Sequence, residues 1–212
     1  IGTGDLTMRA RHDEFAAAGR WLETLGCPVS VEVGNHDLPY FNPFARAFQP
    51  YARYGRMERM IERPLAIEGV HIVPLRTTAR FQRLNWSKGY VSQQQLSQTL
   101  SGVEAAPKGA TVIVACHHPL IEAGTSGTAH TRRGASALVA LAQAGADAVL
   151  SGHVHDPFDL TRREGERAIR LIGAGTLSER VRSSPPSFNL LTVRDGKLDV
   201  AVRAMPLGTR LL

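Results

Sequence analysis

Four short stretches of this chain offer metal-binding side chains, and each follows a run that reads as a strand. Gly152-His153-Val154-His155 comes after residues 146–151, and Gly34-Asn35-His36-Asp37 comes after residues 28–33. His117-His118 follows the apolar run 111–116, and Asp5 follows residues 1–4 at the beginning of the chain. In an extended segment residues i and i+2 project to the same side, so His153 and His155 are expected to point together. Two neutral imidazoles so placed make a metal-binding pair, and Gly152 lets other groups approach closely. An H-x-H pair alone arises by chance, and Asp5 alone also reads as a helix N-cap. Four strand ends that all offer ligands are what indicate a site. The set mixes carboxylate, amide oxygen and imidazole without a Cys-x-x-Cys pair. That chemistry suits Mn²⁺, Fe or Zn²⁺ at a catalytic centre better than a structural zinc.

The elements that must hold these residues can be read from periodicity. Phe15, Ala18, Leu22 and Leu25 recur at helical spacing over residues 12–25, and Gly26 suits the C′ position. Residues 38–64 are punctuated by Pro39, Pro43 and Pro50 and read as short helices on one side of a cleft, with their Phe and Tyr residues as local core. Residues 65–67 and 70–73 read as a hairpin around Glu68-Gly69, with His71 a partly buried strand residue. Ser92 and Gln95 suggest a capping box opening a helix with Leu96 and Leu100 on one face. The polar loop 122–133 is expected to shape the cleft, and residues 135–144 form a small-residue helix closed by Gly145. The tail turns to β-structure at 168–172, 188–193 and 198–202, the last two joined through Asp195-Gly196. Alternating strands and helices argue for an α/β core with parallel strands, and sites in such sheets form outside the carboxyl ends of the strands.

At 212 residues and 43% hydrophobic, the chain can bury a full core, and one domain spanning 1–212 is the expectation. It has no run of roughly 18 apolar residues, so no membrane partner is expected. Cys27 and Cys116 suggest no disulfide framework, which fits a reducing, cytoplasmic location. The net charge of +6 and pI of about 9.9 invite a nucleic-acid reading. The charge is spread, however, over Arg132-Arg133, Arg162-Arg163 and the Arg180/Arg182 pair. A small anionic substrate is the stronger expectation, with nucleic acid the lesser one.

Together, Gly4-Asp5, Gly34-Asn35-His36-Asp37, His117 and Gly152-His153-Val154-His155 resemble the calcineurin-like metallophosphoesterases. The surrounding Leu6-Thr7, Gly175-Thr176 and Pro186-Ser187-Phe188-Asn189 look most like the bacterial class III cyclic-nucleotide phosphodiesterase branch. The resemblance implies a four-layer α/β/β/α sandwich holding two divalent metal ions. Asp5 would bridge them; Asn35, His117 and His153 would complete one, and His155 would bind the other. A hydroxide shared by the cations would attack phosphorus in line. His36 takes the family's catalytic position, protonating the leaving oxygen or stabilising the transition state, with Asp37 orienting it or serving the structure. His118 would lie behind the ligands or serve packing.

The family pattern also contains a strand ending in Asp-x-His, which would supply the remaining ligands of the metal that His155 binds. That block is expected ahead of Ile1, so the domain reads as N-terminally incomplete. The implied enzyme is a dinuclear metal-dependent phosphoric ester hydrolase acting on a phosphodiester such as a 3′,5′-cyclic nucleotide. The alternatives are a phosphomonoesterase, a nuclease of the same chemistry, or a degenerate non-catalytic scaffold. A small phosphate ester is the expected partner, with a homodimer compatible with the resemblance.

Overall fold

The structure, a computed structural model, describes residues 1–63, 65–80, 85–128, 130–178 and 183–205. Pro64 at the end of the 38–64 segment, one residue of the 122–133 loop, and Arg180 and Arg182 lie outside the described residues. Along the chain come α1 (His12–Glu23), α2 (Pro43–Phe48), α3 (Ala52–Ile61), β1 (Val70–Leu75), α4 (Gln93–Glu104) and β2 (Thr111–Cys116). They are followed by α5 (Gly134–Ala144), β3 (Ala148–Ser151), β4 (Phe158–Glu164), β5 (Arg167–Gly173), β6 (Ser187–Arg194) and β7 (Lys197–Ala204).

The five-stranded sheet has the order β1-β2-β3-β5-β4. Its first four strands are parallel, and β4 returns antiparallel on β5. This is the mixed α/β architecture with a parallel core that the strand-helix alternation predicts. Strand β2 is buried along its whole length because both faces of the sheet are covered. Val112, Val114 and Cys116 belong to the apolar cluster that includes Leu138 and Leu141 of α5 and Val103 of α4. Ile113, one residue out of phase, packs with Leu191, Leu198 and Val200 of the β6–β7 hairpin on the other face. Each such side chain contributes about 1.5–3 kcal/mol when fully buried.

Local chemistry fixes the helices. Ser92 Oγ caps α4 by accepting from Gln95 N at 3.2 Å. At α1 the cap residue is Arg11, and the Glu14 carboxylate accepts its N–H at 2.9 Å. Asp5 therefore caps no helix. Gly102 lets α4 sit close on β1, since a Cβ there would lie 2.7 Å from Val73 Cγ1. His71 is in β1 as expected, with Nε2 bonded to Gly102 O at 3.0 Å.

Three expectations are corrected. Residues 28–33 form no continuous strand; Val31 bridges Gly2 and Val29 bridges Glu62, each in isolation. The partner segments are too short to extend a ladder. The apolar residues Val29, Val31 and Val33 are nevertheless buried with Phe15 and Leu22 of α1 and Tyr54, Met57 and Ile61 of α3. Residues 65–67 take no strand conformation and so form no hairpin; they enter β1 through a tight turn in which Val70 N donates to Ile67 O at 3.1 Å. Finally, Tyr54 is core, but Tyr40, Phe41, Phe44 and Phe48 are exposed, so most aromatics of this segment are not local core.

Candidate active site

The candidate ligands meet beyond the carboxyl ends of β2 and β3. Gly4 and Asp5 both adopt positive φ, at 94° and 57°, which turns the Asp5 side chain back over Gly34. A Cβ on Gly34 would run into the Asp5 carboxylate and backbone, so the two segments approach as closely as glycine permits. Asp5 Oδ1 accepts from His36 N at 2.9 Å.

His117 is the hub of the cluster. Its Nδ1 lies 2.7 Å from Thr3 O, a carbonyl that can only accept, so Nδ1 carries the proton. Burial pushes the ring's pKa down to about 4, so the imidazole is neutral and Nε2 bears a lone pair. That nitrogen is 3.0 Å from Asn35 Oδ1, 3.3 Å from His153 Nδ1 and 3.5 Å from Asp5 Oδ2. A ring N–H bonded to a backbone carbonyl is the usual support of a metal-binding histidine, fixing both tautomer and orientation.

His153 and His155 do not share a strand face. Strand β3 ends at Ser151, and both histidines take left-handed backbone, with φ of 66° and 61°. Val154 N folds back onto Gly152 O at 2.7 Å between them. Left-handed non-glycine residues cost about 1–3 kcal/mol each and persist only where surroundings enforce them. Gly152 N bonded to His117 O at 2.9 Å and the buried Val154 provide part of that enforcement. His155 is outside the tight cluster, yet its charge acts on both Asp5 and His117. Burial raises the Asp5 carboxyl above its ordinary value, while His36, His153 and His155 pull it back. Asp5 thus stands among three imidazoles and close to a fourth, His117.

His118 belongs geometrically to a triad with His117 and His153, all of whose nearest ring nitrogens fall within 4.8 Å. Its ring is nonetheless committed. Nε2 donates to Ser87 O at 2.9 Å, and Nδ1 meets Thr77 Oγ1 at 3.0 Å. With a proton on one nitrogen and a hydroxyl at the other, no lone pair remains to bind a cation. His118 packs edge-on against His117, ring centroids 4.5 Å apart, and holds it in place.

His36 Nδ1 is bonded to Met8 O at 2.9 Å. Asp37 does something else. Its Oδ1 accepts from Thr7 N at 2.9 Å and Thr7 Oγ1 at 3.0 Å, and its Oδ2 accepts from Gly34 N at 2.9 Å. It is fully buried and clamps the Asp5 loop to the Asn35 loop. His36 is oriented by donating its Nδ1–H to Met8 O, not by a bond to Asp37.

Sequence reasoning missed several contributors. Thr3 and Met8 act through backbone carbonyls, which leave no side-chain signal. Asp156 follows His155 and is 4% exposed; it accepts from Ser126 N at 3.2 Å, from Ser126 Oγ, and from Ser183 Oγ at 2.7 Å. It thereby draws two distant loops onto the His155 turn. Gly175 and Ser187, part of the finer resemblance, meet in packing: a Cβ on Gly175 would collide with Ser187 Oγ.

The family profile of the calcineurin-like phosphoesterases matches residues 1–157, the span that carries every residue of this cluster. The chain belongs to that family. That family is typically dependent on two metals. No curated protein matches the chain. Among solved structures it is similar to one from Staphylococcus aureus described as a "putative 5'-nucleotidase" in complex with alpha-ketoglutarate, at 14% identity and a TM-score of 0.47. The likeness covers 89% of this chain and 39% of that one, so this chain spans about two fifths of its length.

The donor set fits the family's metals. A nitrogen lone pair, an amide oxygen and a carboxylate oxygen converge, a donor set of the kind that first-row divalent metals take. No helix among the described residues is long and apolar enough to cross a membrane. Cys27 and Cys116 are both free thiols, and Cys116 Sγ donates to His118 O at 3.3 Å behind the donor set.

Proposed function

We propose that this protein is a phosphoesterase that hydrolyses a phosphodiester, with 3′,5′-cyclic nucleotides among its candidate substrates, using two divalent cations drawn from Mn²⁺, Fe and Zn²⁺. Asn35, His117 and His153 would hold one cation, His155 the other, and Asp5 would touch both. The observation that supports this reading is the convergence of Asn35, Asp5 and His153 on the His117 Nε2 lone pair. When bound, the cations supply Lewis acidity toward the phosphoryl oxygens and lower the pKa of water.

The chain's own residues supply the rest. Thr3 O keeps the His117 proton on Nδ1, so Nε2 stays a donor of electrons rather than of hydrogen bonds. Asp37 fixes the separation between the two loops that carry Asp5 and Asn35. His36, whose Nδ1–H donates to Met8 O, would act in its doubly protonated form, giving the Nε2 proton to the departing ester oxygen and being left as the neutral Nδ1–H imidazole.

The test is a hydrolysis panel with Mn²⁺ comparing cyclic nucleotides, linear diesters, monoesters and nucleic acid. Turnover of diesters above monoesters supports the reading. Turnover confined to monoesters assigns a phosphomonoesterase, and salt-sensitive cleavage of nucleic acid assigns a nuclease.

A further inference from the structure

The aromatic residues that follow His36 are exposed where core was expected, and they are organised. Tyr40 and Phe41 are 58% and 71% exposed, values too high for packing residues. Their rings meet edge to face with centroids 5.1 Å apart, and Tyr40 meets Trp86 in the same manner at 6.0 Å. Both ends of this row are tied to the active site. Tyr40 lies four residues beyond His36, and the Arg9 guanidinium sits 5.8 Å over the Phe41 ring, next in chain to the Met8 whose carbonyl holds His36. Trp86 precedes Ser87, whose carbonyl receives the His118 proton.

The row is also held rigid from behind. Arg46 is 1% exposed and lies 5.0 Å from the Trp86 ring centroid. Its Nε donates to Arg80 O at 2.8 Å and its Nη2 to Ala79 O at 3.2 Å, while Nη1 has no hydrogen-bond partner among the described residues. A guanidinium fixed by two carbonyls and stacked on an indole gives Trp86 little freedom. Two exposed rings backed by a half-buried, pre-ordered indole, tied through the chain to His36 and His118, present area for stacking at low entropic cost.

We propose that Tyr40, Phe41 and Trp86 form a shelf that takes the planar organic group of the phosphate ester and so determine specificity. The proposal rests on the phosphoesterase reading for its ester, and Arg9 at the shelf's edge complements the ester's negative charge. Rings of this kind discriminate planar from alkyl groups through stacking, an effect of about tenfold in binding for one ring pair.

The experiment is calorimetric titration of the Mn²⁺-supplied protein with naphthylmethylphosphonate and with ethylphosphonate, run beside hydrolysis of bis(4-nitrophenyl) phosphate. Naphthylmethylphosphonate is expected to bind about tenfold more tightly. That preference should fall toward unity in Tyr40→Ala, return in Tyr40→Phe, and persist in Phe48→Ala, whose exposed ring lies on α2 outside the row. Quenching of fluorescence by the aryl ligand in Trp21→Phe, where Trp86 is the sole indole, provides a second reading. Equal binding of the two phosphonates overturns the shelf, whatever the hydrolysis shows. So does a dimer that dissociates in Tyr40→Ala while binding stays equal, which would make the row a self-interface. An aryl preference without hydrolysis of any ester would leave the shelf standing and remove the phosphoesterase reading.

Discussion

Asn35 Oδ1 and His117 Nε2 stand 3.0 Å apart with lone pairs facing each other, because Thr3 O holds the His117 proton on the opposite side of the ring. Under the proposed function, two acceptors in that position would share one cation. Asn35→Ala, His117→Ala and His153→Ala are therefore expected to weaken the same metal position, and His155→Ala the other. Metal analysis of the purified variants checks this. Loss of the same single ion in all four variants would show that the division of ligands between two positions is wrong.

His36→Ala should keep its metal and lose most turnover, since the residue supplies a proton and not a ligand. General acids contribute typically about 10²–10⁴-fold. The loss should be largest for alkyl esters and smallest for nitrophenyl esters, whose departing oxygen needs little help. A loss that is equal across leaving groups would restrict His36 to electrostatic stabilisation.

Asp156 predicts an effect on metal binding from a residue that touches no metal. Asp156→Ala removes the acceptor shared by Ser126 and Ser183 and frees the turn that keeps His155 left-handed. Supporting residues of this type cost about 10–100-fold in metal affinity when lost. Titration of Mn²⁺ against the variant, with its melting temperature recorded in parallel, separates this from global destabilisation. Unchanged affinity would reduce Asp156 to a loop fastener.

Glu32 gives the stability of the fold a pH dependence. Burial, then the nearby Glu62 and Glu58, push its carboxyl up to about 8, with Arg76 opposing. A folded-state pKa above the unfolded value of 4.5 means that the folded chain holds the proton more tightly. Its contribution is present in full below about pH 4.5 and is lost as pH rises through about 8. Melting temperature should fall across that window, by roughly 2–4 °C for each kcal/mol lost in a chain of this size. Glu32→Gln should flatten the fall. An identical profile in wild type and variant would place the titration elsewhere.

The positions of Asp5, Asn35, His117 and His153 could be read from the sequence because each follows a segment whose pattern is local. Their geometry could not. The left-handed backbone of His153 and His155 is set by contacts with Thr3 and His117, and by Ser126 and Ser183 acting through Asp156, all from distant parts of the chain. Asp37 looked like a partner for His36 by adjacency, but its oxygens turn inward to Thr7 and Gly34. Strand β4 escaped notice because it is a sheet edge, where Asp159, Thr161, Arg162 and Arg163 face solvent and blur the apolar pattern. The aromatic row was misread for a related reason: composition records that Tyr40 and Phe41 are apolar, not whether anything covers them.

The most direct measurement is hydrolysis of bis(4-nitrophenyl) phosphate by the protein as purified, after chelation, and after return of Mn²⁺, with His117→Ala alongside. The arrangement around His117 predicts turnover that disappears on chelation, returns with Mn²⁺, and fails to return in the variant. Hydrolysis that survives chelation, full activity in His117→Ala, or no turnover with Mn²⁺ present would contradict a metal-dependent phosphoesterase built on these residues.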